Sequence, residues 1–165
     1  MKLIKLYVNK KEVEVAVNPQ DTLLTVMRDY LNLNSPKCGC NRGDCGSCTV
    51  ILDGRAVKSC TVLALTCEGK RVVTTEGIGD PRHLHPIQEA FLEYGAPQCG
   101  YCTPGIIMAI IAYLEDNPKP TDEEIKDALA GNLCRCGGYK EYIQAIQAAV
   151  NGEFGPMPKG SDIYV

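Results

Sequence analysis

The stretch Cys40-Asn41-Arg42-Gly43-Asp44-Cys45-Gly46-Ser47-Cys48 gathers three cysteines in one short segment, and a fourth, Cys60, follows after a gap. The pattern C-x₄-C-x₂-C with a later cysteine is typical of the four thiolate ligands of a [2Fe–2S] cluster. Because four thiolates must converge on two irons, we expect an irregular loop whose backbone approaches the inorganic sulfides at Gly39, Gly43 and Gly46. A zinc site can also use four cysteines, but they usually occur as C-x₂₋₄-C pairs.

The residues around this loop predict a small mixed sheet with one helix across it. Short β-rich runs cover residues 3–8, 12–17, 48–52, 55–59 and 71–75, and Asp53-Gly54 between two of them is typical of a hairpin turn. Asp21 or Thr22 can cap a helix whose apolar face runs from Leu23 to Leu31. The order hairpin, helix, cysteine loop, hairpin and strand predicts a β-grasp domain over residues 1–78.

A second group of cysteines, Cys99-Gly100-Tyr101-Cys102 and Cys134-Arg135-Cys136, precedes two predicted helices. Thiolates are favoured at helix N-termini by the positive end of the helix dipole and by free N–H groups. The spacing is compatible with a second [2Fe–2S] cluster. From spacing alone, a zinc site and a thioredoxin-like thiol pair at Cys99 and Cys102 stay open as alternatives.

The second half of the chain has helical signals. Pro86 suits a first helical turn, Thr103-Pro104 reads as a cap followed by a first-turn proline, and residues 121–124 have the spacing of a capping box. A fourth helix is predicted over residues 139–150. The fold class is therefore α+β, with a four-helix bundle over residues 79–150. Residues 151–165, which are rich in glycine and proline, are expected to form an extended C-terminal tail.

Several other residue types near these motifs have ordinary structural interpretations. Cys38 and Cys67 lie outside both ligand patterns and are expected to be bystanders. His83 and His85 are expected to be loop histidines. Tyrosines at helix-packing positions are expected to belong to the core: Tyr101, Tyr113, Tyr139 and Tyr142.

Composition excludes several functional classes. The chain has 165 residues, with 17 basic and 20 acidic side chains, so it lacks the positive charge that nucleic-acid binding requires. The longest apolar run, residues 106–114, is too short to span a bilayer, and lysines interrupt the first residues where a signal peptide would be apolar. We therefore expect no membrane insertion and a cytoplasmic location, where 10 cysteines indicate metal or redox chemistry.

Three segments together resemble the iron–sulfur subunit of the xanthine dehydrogenase family of molybdenum hydroxylases. They are residues 38–50, with the first cysteine loop, the segment from Gln98 to Gly105, and the segment from Gly131 to Tyr139. The resemblance implies a β-grasp domain similar to plant ferredoxin, followed by a four-helix bundle, each with a [2Fe–2S] cluster. It implies one ligand set of Cys40, Cys45, Cys48 and Cys60, and another of Cys99, Cys102, Cys134 and Cys136.

The resemblance also implies partners and a direction of electron flow. Electrons would leave a molybdopterin cofactor on a large subunit, pass the bundle cluster and then the ferredoxin-type cluster, and reach FAD on a medium subunit. Gln98 and the bundle cysteines would face the pterin. Two residues depart from the pattern: Gly137 stands where the family commonly has threonine, and Cys38 lies beside the first ligand. The alternative function is a free-standing soluble ferredoxin-type electron carrier.

Overall fold

The computed structural model describes residues 1–164, and its strands form one five-stranded mixed sheet. The strand order is β2-β1-β5-β3-β4. β1 pairs in parallel with β5, and the other neighbouring strands are antiparallel. The bounds are β1 Lys2–Val8, β2 Lys11–Val17, β3 Thr49–Leu52, β4 Arg55–Lys58 and β5 Arg71–Val73. The predicted strands and the hairpin at Asp53-Gly54 are therefore confirmed, with ends shifted by one or two residues.

The helix predicted over residues 23–31 differs from the prediction in its winding. Thr22 caps it as expected, because its side chain accepts a hydrogen bond from the N–H of Thr25. The α-helical part, α1, covers only Leu23–Thr25, and a π-helical turn, Val26–Tyr30, continues it. The N–H of Leu31 donates to the carbonyl of Val26, five residues back, which is the π-helical hydrogen-bond pattern.

Five further helices follow the sheet: α2 Pro86–Glu93, α3 Thr103–Asp116, α4 Asp122–Leu129, α5 Tyr139–Val150 and α6 Gly160–Tyr164. The first four confirm the predicted helices, although the N-cap of α3 is Cys102 rather than Thr103. Thr121 and Glu124 form the predicted capping box at α4. Within residues 1–164, none of the helices has the length and apolar character to cross a membrane.

The sheet is covered on both faces. Ile4, Leu6 and Val50 belong to one core with the π-helical turn, whereas Ile51 and Val73 belong to a second core built from the helices. All four residues of β3 are buried because α3 packs against the face opposite the π-helical turn. The sheet therefore packs directly against the helices of the second half. The predicted mixture of strands and helices is confirmed.

The expectation of an extended tail over residues 151–165 is wrong for its last part. Residues 160–164 form α6, and Ile163 is buried in the core of the helices. Phe154 and Met157 also pack against this core. Burial of these apolar side chains holds this segment against the helices. Val165 lies outside the described residues.

Candidate metal centres

The first cysteine loop connects the π-helical turn to β3 and collects backbone N–H groups around the Cys40 thiol. The N–H of Cys45 lies 3.4 Å from the Cys40 Sγ atom. Hydrogen bonds from the N–H groups of Cys45 and Arg42 lower the pKa of Cys40 to about 6. Donors aimed at a sulfur in this way stabilise a thiolate, which is the form that binds metal.

Two other thiols of the first set lie deeper in the fold. Cys48 and Cys60 are buried beside Leu24. Burial, together with the neighbouring Cys48 thiol, raises the pKa of Cys60 to about 11. The N–H of Gly43 is hydrogen-bonded to the Cys60 thiol and acts in the opposite direction. The 3₁₀ turn Ser59–Thr61 therefore brings Cys60 to the loop from the end of β4.

The second set of cysteines lies at the N-terminal ends of α3 and α5. Cys102 is the N-cap of α3, and Cys134 and Cys136 precede α5, whose N-cap is Gly138. The N–H of Tyr101 and the neighbouring Cys136 thiol lower the pKa of Cys99. Burial raises the pKa of Cys102 to about 11. These four cysteines therefore lie in the loops before two helices, and their assignment to one ligand set stays a prediction.

Within each set, neighbouring thiols are close enough to shift one another's pKa. Cys45 acts on Cys40, Cys48 on Cys60, Cys136 on Cys99, and Cys134 on Cys102. Among residues 1–164, no group of three or more His, Cys, Asp or Glu side chains is arranged to hold a metal ion. The four cysteines of each set match the number of thiolates that a [2Fe–2S] cluster takes.

The two cysteine loops are joined directly by hydrogen bonds. The N–H of Leu133 donates to the carbonyl of Cys45 over 2.8 Å, and the Asn132 side chain donates to the carbonyl of Gly46 over 3.1 Å. Asn132 is buried, at 5% exposure. Leu133 is the residue before Cys134. One peptide hydrogen bond therefore connects a cysteine of the first set to the neighbour of a cysteine of the second.

The glycines of the first loop have two different surroundings. A side chain on Gly39 would bring its Cβ within 2.7 Å of the Cys45 Sγ atom, and one on Gly43 would meet Thr61. Gly46, with φ of +72°, instead packs against Gly131 and Asn132 of the second loop. Gly39 thus allows close approach of backbone to a candidate ligand, whereas Gly46 allows the two loops to meet.

Other residues singled out in the sequence have clear places in the structure. Gln98 is exposed beside Cys99. Cys67 is buried and Cys38 is exposed, and neither joins a thiol pair. His83 lies in a loop beside Asp80. The prediction of a loop histidine is wrong for His85, which is the buried N-cap of α2 and whose Nδ1 atom accepts from the N–H of Ile87.

Three of the tyrosines expected in the core make polar contacts beside cysteines. Tyr101 is 46% exposed, and its hydroxyl donates to the carbonyl of Cys38 over 2.9 Å, so the core expectation is wrong for it. The Tyr139 hydroxyl accepts from the N–H of Cys134 over 2.7 Å. The Tyr142 hydroxyl reaches Cys102. No sequence spacing pointed to these polar contacts or to Asn132, because they depend on how distant segments pack.

Comparison with known proteins shows the family. A family described as "2Fe-2S iron-sulfur cluster binding domain" matches residues 6–72, and one described as "[2Fe-2S] binding domain" matches residues 74–147. The small FeS subunit of nicotinate dehydrogenase from Eubacterium barkeri is 44% identical over 147 residues, covering 89% of this chain and 94% of that protein. The chain belongs to the iron–sulfur subunits of the molybdenum hydroxylase family.

Structural similarity extends along most of the chain. The crystal structure of quinoline 2-oxidoreductase from Pseudomonas putida 86 has a chain with 37% sequence identity and a TM-score of 0.86, covering 92% of this chain and 98% of that one. The aldehyde oxidoreductase of Megalodesulfovibrio gigas is 39% identical over 152 residues, which are 17% of that protein. This chain is thus the electron-transfer part of an oxidoreductase complex.

Proposed function

We propose that this chain holds one [2Fe–2S] cluster on Cys40, Cys45, Cys48 and Cys60 and a second on Cys99, Cys102, Cys134 and Cys136. The observation that carries the proposal is the placement of the cysteines: Cys48 and Cys60 are buried together, the second four lie in the loops before α3 and α5, and a hydrogen bond from Leu133 to Cys45 joins the two loops. When bound, such clusters accept and release single electrons. The matches to two [2Fe–2S]-binding families support this assignment.

The chain's own groups would hold and tune these centres. N–H groups of Arg42 and Cys45 at the first set, and of Tyr101 and Gly138 at the second, are directed at sulfur and stabilise negative charge there. Burial of Cys48, Cys60, Cys102 and Cys134 keeps water from the inner thiols. Gly39 gives the backbone room beside Cys45. Gly43 is proposed to act in the same way at the first centre.

We assign each set to its own unit of the fold. The first, residues 1–78, is proposed to be a β-grasp domain, supported by the helical segment packed across a mixed five-stranded sheet. The second, residues 79–150, is proposed to be a four-helix bundle made of α2 to α5. Residues 151–165 are assigned to a C-terminal segment. One matched family ends at residue 72 and the other begins at residue 74, a few residues before the proposed boundary.

The second set is proposed to face the subunit that carries the molybdopterin cofactor. Cys99 and Cys136 are exposed, and so are Gln98, Tyr101 and Leu133 around them. Exposed apolar side chains beside a redox centre are suited to a protein interface. Gln98 would hydrogen-bond the pterin there. The first set would then pass electrons to FAD on a medium subunit.

The choice of substrate is assigned to the large subunit. The relatives are named for nicotinate, quinoline and aldehydes, so subunits similar to this chain serve enzymes with different substrates. We propose no nucleic-acid partner and no membrane insertion. The cytoplasmic location expected from the sequence stays a prediction.

Purification of the complex tests the proposal of a partner subunit. The chain, tagged at its C-terminus and expressed from its native operon, is expected to elute with a larger subunit that contains molybdenum. A substrate of that enzyme should reduce its iron–sulfur centres in the absence of oxygen. Elution as a stable monomer, with full reduction by a separate reductase, would instead establish the free-standing ferredoxin.

A further inference from the structure

Tyr142, in α5, places a hydroxyl group beside a candidate ligand of the second set. Its side chain is fully buried, and its ring packs against Phe91 with 5.0 Å between ring centroids. The hydroxyl lies 3.6 Å from the Cys102 Sγ atom and 2.8 Å from the Thr103 Oγ1 atom. Two polar partners therefore share one phenol in a part of the core that water does not reach.

Metal binding would define the direction of these two hydrogen bonds. A thiolate bonded to iron has no proton, so Cys102 could only accept. The Thr103 hydroxyl can donate as well as accept. The arrangement that satisfies all three groups has Thr103 donating to the phenol oxygen while the Tyr142 hydroxyl donates to the Cys102 sulfur. Once Thr103 donates to the phenol oxygen, the Cys102 sulfur is the remaining partner of the buried Tyr142 hydroxyl, and buried hydroxyl groups are rarely left without an acceptor.

We propose that Tyr142 is a positioning residue that raises the reduction potential of the second cluster through Cys102. This inference rests on the proposed function, because it requires a cluster on Cys102. A reduced cluster carries one more negative charge than an oxidised one, so a hydrogen bond to its ligand sulfur stabilises the reduced state more. The phenol thus makes the second cluster a better electron acceptor than backbone N–H groups alone would.

The variant Tyr142→Phe in the whole complex tests the inference. It keeps the ring that packs against Phe91 and removes only the oxygen. In a redox titration followed by EPR, both cluster signals should remain, and the signal that is absent in Cys102→Ser should move to a lower potential. We expect the ratio of reduced to oxidised second cluster at a given potential to fall by about tenfold, or about 59 mV for one electron.

A matched control and a second readout separate tuning from a loss of packing. Tyr113→Phe removes a phenol oxygen on α3 that contacts Asn117 instead of a cysteine, and it should leave both potentials unchanged. Pulsed EPR in H₂O and D₂O should show an exchangeable proton coupled to the second cluster in the wild type, and its loss in Tyr142→Phe. An unchanged potential and an unchanged proton coupling would overturn the inference. Absence of the second signal from the wild-type complex would overturn the proposed function instead.

Discussion

At the scale of single residues, each candidate ligand set contains an outer pair and an inner pair of thiols. The outer pairs, Cys40 with Cys45 and Cys99 with Cys136, are exposed or half-buried, and the inner ones are buried. Burial raises the pKa of Cys60 and of Cys102 to about 11, so these thiols keep their protons at neutral pH until metal displaces them. N–H donors lower the pKa of the outer Cys40 to about 6, which favours its thiolate form.

Substitution of one ligand in each set should separate the two clusters. We expect Cys45→Ser to damage the first cluster and Cys102→Ser to damage the second, because the ligand sets lie in different loops of the fold. EPR of the reduced complex should then lose one signal and keep the other in each variant. Cys67→Ser serves as a control, since Cys67 is buried outside both sets and its change should leave both signals. Loss of both signals from either ligand variant would contradict the division.

Gly46 is the residue at which the joined loops are most sensitive to added volume. Gly46→Ala would place a methyl group against the backbone of Gly131, in a residue that already has φ of +72°. We expect a loss of about 1–3 kcal/mol from overpacking, beyond the backbone strain itself, and a lower melting temperature. Gly54→Ala is the matched control, because φ is +81° there but nothing lies near its added methyl group. Equal melting temperatures for the two variants would show that the loops do not constrain each other.

At the scale of elements, local patterns in the sequence predict the strands and helices but not how their ends are completed. Alternation and the Asp53-Gly54 turn locate the hairpins, and caps locate α2 to α5. The π-helical turn after α1 was missed because α- and π-helical hydrogen bonding use the same residue types. The sequence does not predict α6, because this helix depends on the burial of Ile163 in the core of the helices.

For the candidate sites as well, the sequence predicts the cysteines but not the contacts that distant residues make around them. Spacing alone predicts the first set of candidate ligands, and the second set follows only when its spacing is combined with the resemblance to the family. Spacing does not predict Asn132, which meets Gly46 across 86 positions of sequence, or the hydroxyl of Tyr142 beside Cys102. Such contacts arise when separate elements pack, so they carry no local pattern.

The cap of α2 gives the protein a pH-dependent stability. Burial lowers the pKa of His85 to about 4, whereas an unfolded histidine titrates near 6.5. Between these values the unfolded chain binds more protons, so the free energy of unfolding should decrease as pH falls from about 6.5 toward 4. The expected loss at pH 5 is about 2 kcal/mol, or roughly 4–8 °C in melting temperature.

His85→Asn tests this prediction, because asparagine can keep the cap but does not titrate. Its melting temperature should fall less than that of the wild type between pH 7.5 and pH 5. His83→Asn, at an exposed histidine in the preceding loop, should keep the wild-type dependence. If the melting temperatures of His85→Asn and the wild type fall equally between pH 7.5 and pH 5, the titration of His85 does not cause the pH dependence.

At the scale of the whole molecule, the two halves behave as one packed body. Ile51 and Val73 of the sheet lie in the core of the helices, and Leu133 binds Cys45 at the junction of the two loops. These contacts hold the two cysteine loops next to each other, which suits electron transfer between the proposed centres. The exposed Cys99 and Cys136 are the reason why the second set is proposed to face the molybdenum-containing subunit.

That direction can be measured with Cys136→Ser in the complex. Because the second set is proposed to lie on the molybdenum side, this change should slow reduction of the first cluster by substrate more than reduction by an artificial donor. Stopped-flow absorbance in the absence of oxygen measures both rates. A variant at the first set, Cys45→Ser, provides the comparison, since the second cluster should still be reduced by substrate. Equal slowing of Cys136→Ser by both routes would contradict the order.

The measurement that tests the central claim most directly is the content of iron, acid-labile sulfide and zinc per chain, together with EPR of the dithionite-reduced protein. Two sets of four cysteine ligands predict about four irons, about four sulfides, no stoichiometric zinc and two distinct signals. About two irons with a single signal, and zinc or free thiols at the residues from Cys99 to Cys136, would contradict the account of a two-cluster electron-transfer subunit.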